Sequence, residues 1–190
     1  MYSTLFSCGC FKVPVLLSEN RLIIQQVANA LDHLKTIGMI HADLKLDNVM
    51  LVDHQHQPYR VKVIDFGLAE DVSATRLGSC IQTRPYRSPE ILLGLPYTEA
   101  IDMWSLGVMA ASMYLGTFLY PGRSEFDMIR SLKSDTPADR VLEMWDKEDF
   151  LDMLKGMLQL DAAERLTPCQ VLEHPFITMS DLTGRIPYTS

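Results

Sequence analysis

The chain has few cysteines, no excess of positive charge and no targeting segment at its start. Its four cysteines stand at positions 8, 10, 80 and 169, and this spacing fits neither a disulfide framework nor a pair of Cys-x-x-Cys metal knuckles. The net charge of −7 argues against a nucleic-acid-binding patch. The first ten residues lack the basic stretch and apolar core of a signal peptide. A soluble protein of a reducing compartment, without direct nucleic-acid contact, is therefore expected.

Charge is also absent from one long run, residues 103–122, which is long enough to span a bilayer. The run contains Ser105, Ser112 and Thr117, and it closes on Tyr120-Pro121-Gly122. These polar and helix-breaking residues favour a buried core helix over a membrane span. With 47% hydrophobic residues in 190, the chain can bury such a helix within one globular domain.

The most informative stretch is residues 40–51, where Asp43, Lys45 and Asn48 fall between a helix and a strand. A second strand, residues 61–64, ends at Asp65 and brings another carboxylate to the same place. Phosphoryl transfer from a metal-bound nucleotide needs such a set, because the protein mainly positions groups and neutralises charge. In the protein-kinase signature the first Asp orients the substrate hydroxyl, while the Asn and the second Asp hold Mg²⁺.

Periodicity and turn residues predict the surrounding elements. A helix is expected from a cap at Ser18 to a stop at Gly38. Strands 49–53 and 60–64 should form a hairpin across a polar turn at 54–58, where His54 and His56 are more typical of a solvated turn than of a metal site. Residues 68–89 are expected to form a long irregular segment. Further helices are expected from Asp102, over 149–158, and from Pro168 to a stop before Pro175.

From about residue 11 to 182 the chain resembles the C-terminal lobe of a eukaryotic protein kinase, and within that superfamily the homeodomain-interacting protein kinases. The resemblance rests on four segments: His41-Ala42-Asp43, residues 58–67, Arg87-Ser88-Pro89-Glu90, and residues 90–107. It implies a mainly α (α+β) fold, a helical bundle with a small β-hairpin that carries the catalytic loop. Residues 1–10 stay unassigned, and residues 183–190 form a C-terminal tail.

The resemblance also implies the roles of individual residues. Asp43, Lys45 and Thr83 would be catalytic, with Thr83 hydrogen-bonded to Asp43 and Lys45. ATP would be bound by Lys45, Asn48, Met50 and Asp65, with Met50 as the floor under adenine. Asn48 and Asp65 would hold Mg²⁺.

Supporting contacts follow from the same resemblance. Glu90 would pair with Arg165, Asp102 would hold the backbone of the catalytic loop, and His41 would stack with Phe66. These residues are expected to support the site without taking part in the chemistry.

Several positions depart from the pattern of the resembled family. No Gly-x-Gly precedes His41, and Lys12 and Lys35 are the only earlier lysines, so we expect the N-terminal lobe to be absent. Cys80 stands where the relatives have an activation-loop tyrosine, which would leave Arg84 and Arg87 without a phosphotyrosine. A short link replaces a long insert between residues 130 and 147. Leu46-Asp47 in place of Pro-Glu should leave the loop intact.

Three functional hypotheses follow. The chain is a truncated catalytic domain of a serine/threonine protein kinase whose N-terminal lobe lies outside it, or a noncatalytic kinase-like binding module, or a folding-deficient fragment with an exposed apolar face. The expected cofactors are ATP and Mg²⁺, and the expected partner is a protein substrate with a serine or threonine hydroxyl. Transcription-regulatory partners and a nuclear location, beside a cytoplasmic one, are implied by the resemblance alone.

Overall fold

In a computed structural model of the chain, the described residues are 3–5, 14–53, 55–120, 124–133 and 148–180. The strands are β1 (Ser3–Thr4), β2 (Met39–Ile40), β3 (Val49–Asp53), β4 (Gln57–Val63) and β5 (Glu70–Asp71). The helices are α1 (Leu17–Thr36), α2 (Pro89–Leu92), α3 (Ala100–Leu115), α4 (Glu125–Lys133), α5 (Glu148–Met157), α6 (Pro168–Glu173) and α7 (Pro175–Thr178). Helices predominate and the strands are short, so the predicted mainly α fold with a small hairpin is confirmed.

Helix α1 lies across the core and begins two residues earlier than predicted. Apart from Asn20, its buried face consists of apolar residues at helical spacing, including Ile23, Val27 and Leu31. The prediction that Ser18 caps this helix is wrong, because Ser18 lies inside the first turn. The backbone N–H of Leu16 instead donates to the carboxylate of Glu19 at 3.2 Å, which provides the reciprocal hydrogen bond of an N-terminal cap.

The uncharged run forms α3, and every residue from Ile101 to Tyr114 is buried. The helix packs between α1 and α5, which explains why its sequence is apolar on all sides. It ends at Gly116, whose φ of 67° is in the left-handed region that favours glycine. Among the described residues, no helix combines the length and apolarity that crossing a bilayer requires.

The predicted hairpin consists of β3 and β4, which pair antiparallel with Val49 opposite Val63 and Leu51 opposite Val61. β4 begins at Gln57, three residues earlier than expected, because Gln57 pairs with Asp53 and shortens the turn. Strand β1 extends the sheet on the other edge of β3. The Gln26 side chain of α1 donates to Tyr59 O at 2.8 Å and accepts from Val61 N at 3.0 Å. The hairpin is therefore fixed to the helical core.

Residues 68–89 are irregular apart from β5 and two one-turn 3₁₀ helices, Val72–Ala74 and Arg84–Tyr86. Strand β5 pairs with β2, the strand that directly precedes the loop of Asp43. This pairing brings the irregular segment alongside the site. The link predicted between residues 130 and 147 lies mostly outside the described residues.

Candidate active site

One buried carboxylate of α3 binds the backbone of the loop that follows β2. Asp102, in the first turn of α3, accepts hydrogen bonds from His41 N at 2.7 Å and Ala42 N at 3.0 Å. Ala42 has a φ of 64°, a strained conformation that persists only where several contacts enforce it. Burial raises the pKa of Asp102 to about 7, although both backbone N–H donors favour its ionised form. The predicted contact between Asp102 and the loop backbone is present.

The carboxylate of Asp43 accepts hydrogen bonds from three different side chains. Oδ1 accepts from Thr83 N at 3.1 Å and Thr83 Oγ1 at 2.7 Å. Oδ2 accepts from Lys45 Nζ at 2.6 Å and Asn48 Nδ2 at 3.2 Å. Burial raises the pKa of Asp43, but the hydrogen bonds from Lys45 and Thr83 and the charge of Lys45 outweigh it, so the net pKa lies below the ordinary value. Asp43 is thus ionised and oriented.

Lys45 and Thr83 also contact each other. The ammonium group of Lys45 donates to Thr83 Oγ1 at 3.0 Å, and the same oxygen donates onward to Asp43. Two of the three N–H donors of Lys45 are used in this way. The third has no acceptor among the residues that the structure describes. These are the contacts predicted for Thr83, whereas the catalytic roles of the three residues stay predictions.

The ring of His41 is held in a single tautomer. Its Nε2 lies 3.1 Å from Ile64 O, a carbonyl that can only accept, and its Nδ1 accepts from Asp43 N at 3.3 Å. Nε2 therefore carries the proton and Nδ1 is free of one. Burial lowers the pKa of His41, in agreement with a neutral ring. The ring lies 5.0 Å from that of Phe66 at an interplanar angle of 58°, so the predicted pair forms a tilted contact.

Asn48 and Asp65, the predicted cation ligands, lie on adjoining backbone. Asn48 O accepts from Ile64 N at 2.9 Å, one residue before Asp65. The amide of Asn48 donates to Asp43 O at 2.9 Å and to the Asp43 carboxylate, which fixes its Nδ2 on that side. Its Oδ1 takes no donor from the described residues. Asp65 is exposed with a φ of 63°.

These two side chains fit a hard divalent cation, because each offers oxygen ligands of the kind that Mg²⁺ prefers. Among the described residues, no cluster of three or more histidine, cysteine, aspartate or glutamate side chains could hold a metal by itself. A site of this kind takes its other ligands from phosphate oxygens and water. His56, the other predicted metal candidate in the described part of the chain, contacts Asp53 instead at 3.0 Å.

Met50 is the second residue of β3, half-buried, between β1 and β4. Its register partners are Thr4 and Lys62. The preceding and following residues, Val49 and Leu51, are buried in the core, and alternation along a strand therefore directs Met50 to the opposite face. Its role under adenine stays a prediction.

Behind the site, Glu90 and Arg165 form the predicted ion pair. Arg165 donates to both carboxylate oxygens of Glu90, at 2.6 and 3.0 Å, and to Ala100 O at 2.8 Å. This pair joins α2, the start of α3 and the segment after α5. It fixes the position of the chain immediately after the irregular segment.

Sequence reasoning missed two further groups near Thr83. Gln82 is buried and hydrogen-bonded to α3. Arg87, expected only to lack a phosphotyrosine, pairs with Glu125 of α4 at 2.6 Å and approaches Cys80 Sγ at 3.8 Å. No local spacing signals these contacts, since they join residues that are distant in the sequence.

The sequence comparisons agree with this geometry. Residues 5–177 match the family model described as protein kinase domain. The chain is 39% identical over 238 aligned positions to homeodomain-interacting protein kinase 2 of Mesocricetus auratus, with 89% of this chain and 20% of that protein covered. It is 53% identical over 119 positions to homeodomain-interacting protein kinase 4 of Homo sapiens, with 62% of this chain and 19% of that protein covered.

A third relative, homeodomain-interacting protein kinase 1 of Caenorhabditis elegans, is 35% identical over 249 positions, with 90% of this chain and 29% of that protein covered. The chain thus spans about a fifth to three tenths of the length of these relatives. Alignments of 238 and 249 positions exceed the 190 residues of the chain. Those relatives therefore contain stretches within the aligned region that this chain lacks.

Proposed function

Because the chain belongs to the protein kinase family and resembles the homeodomain-interacting protein kinases, we propose that it transfers the γ-phosphoryl group of Mg²⁺-bound ATP to serine or threonine hydroxyls of proteins. The observation that carries this proposal is the Asp43 carboxylate, held ionised by Lys45 and Thr83 and hydrogen-bonded to Asn48 as well. A fixed carboxylate with an ammonium group beside it suits an acceptor hydroxyl next to a phosphate.

Asp43 would accept the hydrogen bond of the substrate hydroxyl and so direct its oxygen towards phosphorus. A carboxylate with a lowered pKa is a weak base, so its main contribution before bond formation is orientation. As the oxygen–phosphorus bond forms and the bond to the ADP oxygen breaks, the hydroxyl proton passes to Asp43 and then to water. The remaining donor of Lys45 would neutralise charge on the transferred oxygens.

The bound nucleotide and its divalent cation supply the phosphoryl group and the charge neutralisation that its transfer requires. Asn48 Oδ1 and the Asp65 carboxylate would hold that cation. His41 would keep the loop in place, since its protonated Nε2 donates to Ile64 O and its Nδ1 accepts from Asp43 N.

The test is phosphate incorporation from γ-labelled ATP into peptides that contain serine or threonine, with tyrosine peptides for comparison. Asp43→Asn should lower kcat by about 10²–10⁴-fold, since general acid–base groups contribute factors of this size. Asp47→Asn is the matched control, because Asp47 is an exposed aspartate of the same loop. Undiminished transfer by Asp43→Asn would contradict the assignment.

A second outcome would favour the noncatalytic hypothesis. A wild-type chain that unfolds cooperatively and binds a partner, yet transfers no phosphate, would be better described as a binding module. An unchanged partner affinity in Asp65→Ala would support that reading, because Asp65 is proposed to act only through the cation.

The names of the relatives state that those proteins interact with homeodomains. For this chain we propose a transcription-regulatory protein as a candidate substrate. We also propose a nuclear location beside a cytoplasmic one. Fluorescence of the tagged chain in cells tests the location. Phosphorylation of purified homeodomain proteins tests the candidate substrate.

A further inference from the structure

Gln82 is a buried polar residue directly before Thr83. It is 4% exposed, and its φ of 59° lies in the left-handed region. Residues other than glycine hold this conformation only where surrounding contacts enforce it, and such residues are concentrated at active sites. Gln82 plays no part in the mechanism proposed above, so its conformation calls for an explanation.

Every hydrogen-bonding group of Gln82 has a partner. The side-chain Nε2 donates to Ile101 O and to Ser105 Oγ, both at 2.9 Å, and Oε1 accepts from Ser88 N at 2.9 Å. The backbone O accepts from Arg87 Nη2 at 3.0 Å. A buried amide that is fully satisfied in this way has one allowed position.

The backbone of Gln82 connects this network to the catalytic loop. Its N–H donates to Ala42 O at 2.8 Å, and the next N–H, that of Thr83, donates to the Asp43 carboxylate. The pair Gln82-Thr83 therefore runs alongside the pair Ala42-Asp43. Any shift of Gln82 moves Thr83 relative to Asp43.

One turn of α3 holds both pairs. Asp102 binds the backbone of His41 and Ala42, while Ile101 O and Ser105 Oγ bind the side chain of Gln82. Ser105 and Asp102 are three residues apart, so they project from the same face of the helix. The two sides of the site thus share one rigid support.

We propose that Gln82 is a positioning residue: its side-chain amide, anchored on the first turns of α3, sets the position of Thr83 on Asp43. The proposal rests on the phosphoryl transfer proposed above and adds a residue that determines its geometry. None of the hydrogen bonds of Gln82 goes to Asn48, Met50 or Asp65, so nucleotide binding should not depend on it.

Two variants of the full chain test the proposal. Gln82→Met keeps the length of the side chain and removes its three hydrogen bonds, and Ser105→Ala removes one of them. Ser112→Ala is the matched control, because Ser112 is also a buried serine of α3, and its hydroxyl accepts from Leu119 N rather than bonding Gln82.

The first readout is hydrogen exchange of the Thr83 amide, measured by NMR beside the amide of Val27 in the core. We expect exchange at Thr83 to accelerate about tenfold or more in Gln82→Met, less in Ser105→Ala and not at all in Ser112→Ala. Exchange at Thr83 that stays at the wild-type rate in both site variants would overturn the proposal. If Gln82→Met does not fold, Ser105→Ala decides the question alone.

The second readout is the division between kcat and KM. In Gln82→Met, kcat should fall about 10- to 100-fold, as expected for a small misplacement of a reacting group, while KM for ATP stays within twofold. Equal changes in kcat and KM would indicate general destabilisation and refute a positioning role. A wild-type chain without transfer activity would refute the proposed function instead, and the exchange measurement would still decide the place of Gln82.

Discussion

Replacing Glu90 by glutamine should destabilise the chain strongly, because it leaves a buried cation without its counter-charge. The guanidinium group of Arg165 is 0% exposed and the side chain of Glu90 only 5%. Arginine is not deprotonated in proteins, so Arg165 cannot relieve the loss by neutralisation. Its other contacts are Ala100 O, Gln159 O and the Trp104 ring at 5.2 Å, and none of them carries a full negative charge.

The expected cost follows from this burial. Removing one partner of a buried ion pair costs about 3–5 kcal/mol, and Glu90→Gln should lie near the lower value because the amide oxygen still accepts one hydrogen bond. The free energy of unfolding of a typical domain is about 5–15 kcal/mol. The substitution should therefore remove a fifth or more of the free energy of unfolding, and in a marginal chain more than half.

Urea unfolding followed by circular dichroism measures this effect. The control is Glu99→Gln, which breaks the partly exposed pair between Lys35 and Glu99, with side chains 40% and 27% exposed, and which should cost about 0–1 kcal/mol. Combining Glu90→Leu with Arg165→Met should recover most of the loss, since neither charge is then buried. A cost below about 1 kcal/mol for Glu90→Gln, at an unchanged denaturant slope, would refute the reasoning.

Three further outcomes are expected. Gly156→Ala should destabilise by about 1–3 kcal/mol in urea unfolding, because the new Cβ would lie 2.6 Å from Leu166 Cγ, whereas Gly78→Ala, with no atom within 4 Å, should show only the cost of its positive φ. Burial raises the pKa of Asp102 from 3.8 to about 7, so the stabilisation from its neutral form is present below pH 3.8 and is lost as the pH rises to about 7. As the pH rises across this range, the free energy of unfolding of the wild type should fall relative to that of Asp102→Asn. An equal pH dependence of the two proteins would contradict the raised pKa of Asp102. Burial lowers the pKa of His41 below 6.5, so the stabilisation from its neutral ring is present above pH 6.5 and is lost on acidification. A wild type that loses no more stability than His41→Phe between pH 7 and 5 would disprove this.

The parts of the fold that the sequence predicted are those with local signals. Apolar residues at helical spacing predicted α1, and a long uncharged run predicted the buried α3. The ends of elements were less accurate: Ser18 has the chemistry of a cap, but the chain enters the helix at Leu16. Several residues near a helix start can serve as caps, and the path of the preceding chain selects among them.

The residues of the candidate site also fall into those that local spacing predicted and those that it did not. Asp43, Lys45 and Asn48 lie within six positions, so their spacing alone predicts that one loop brings them close together. Thr83 was placed on Asp43 only through the resemblance to a family, because no spacing joins residues that are 40 positions apart.

Residue type and short-range periodicity predicted the cluster of Asp43, Lys45 and Asn48 and the helices and hairpin that carry it. Only the tertiary structure placed Gln82 on α3, 23 positions from Ser105, and Arg87 against Glu125, 38 positions away. Such contacts depend on where separate elements meet. A buried amide or a guanidinium group can bond many partners of suitable chemistry. The packing of α3 and α4 against the irregular segment decides which of these partners lies within hydrogen-bonding distance.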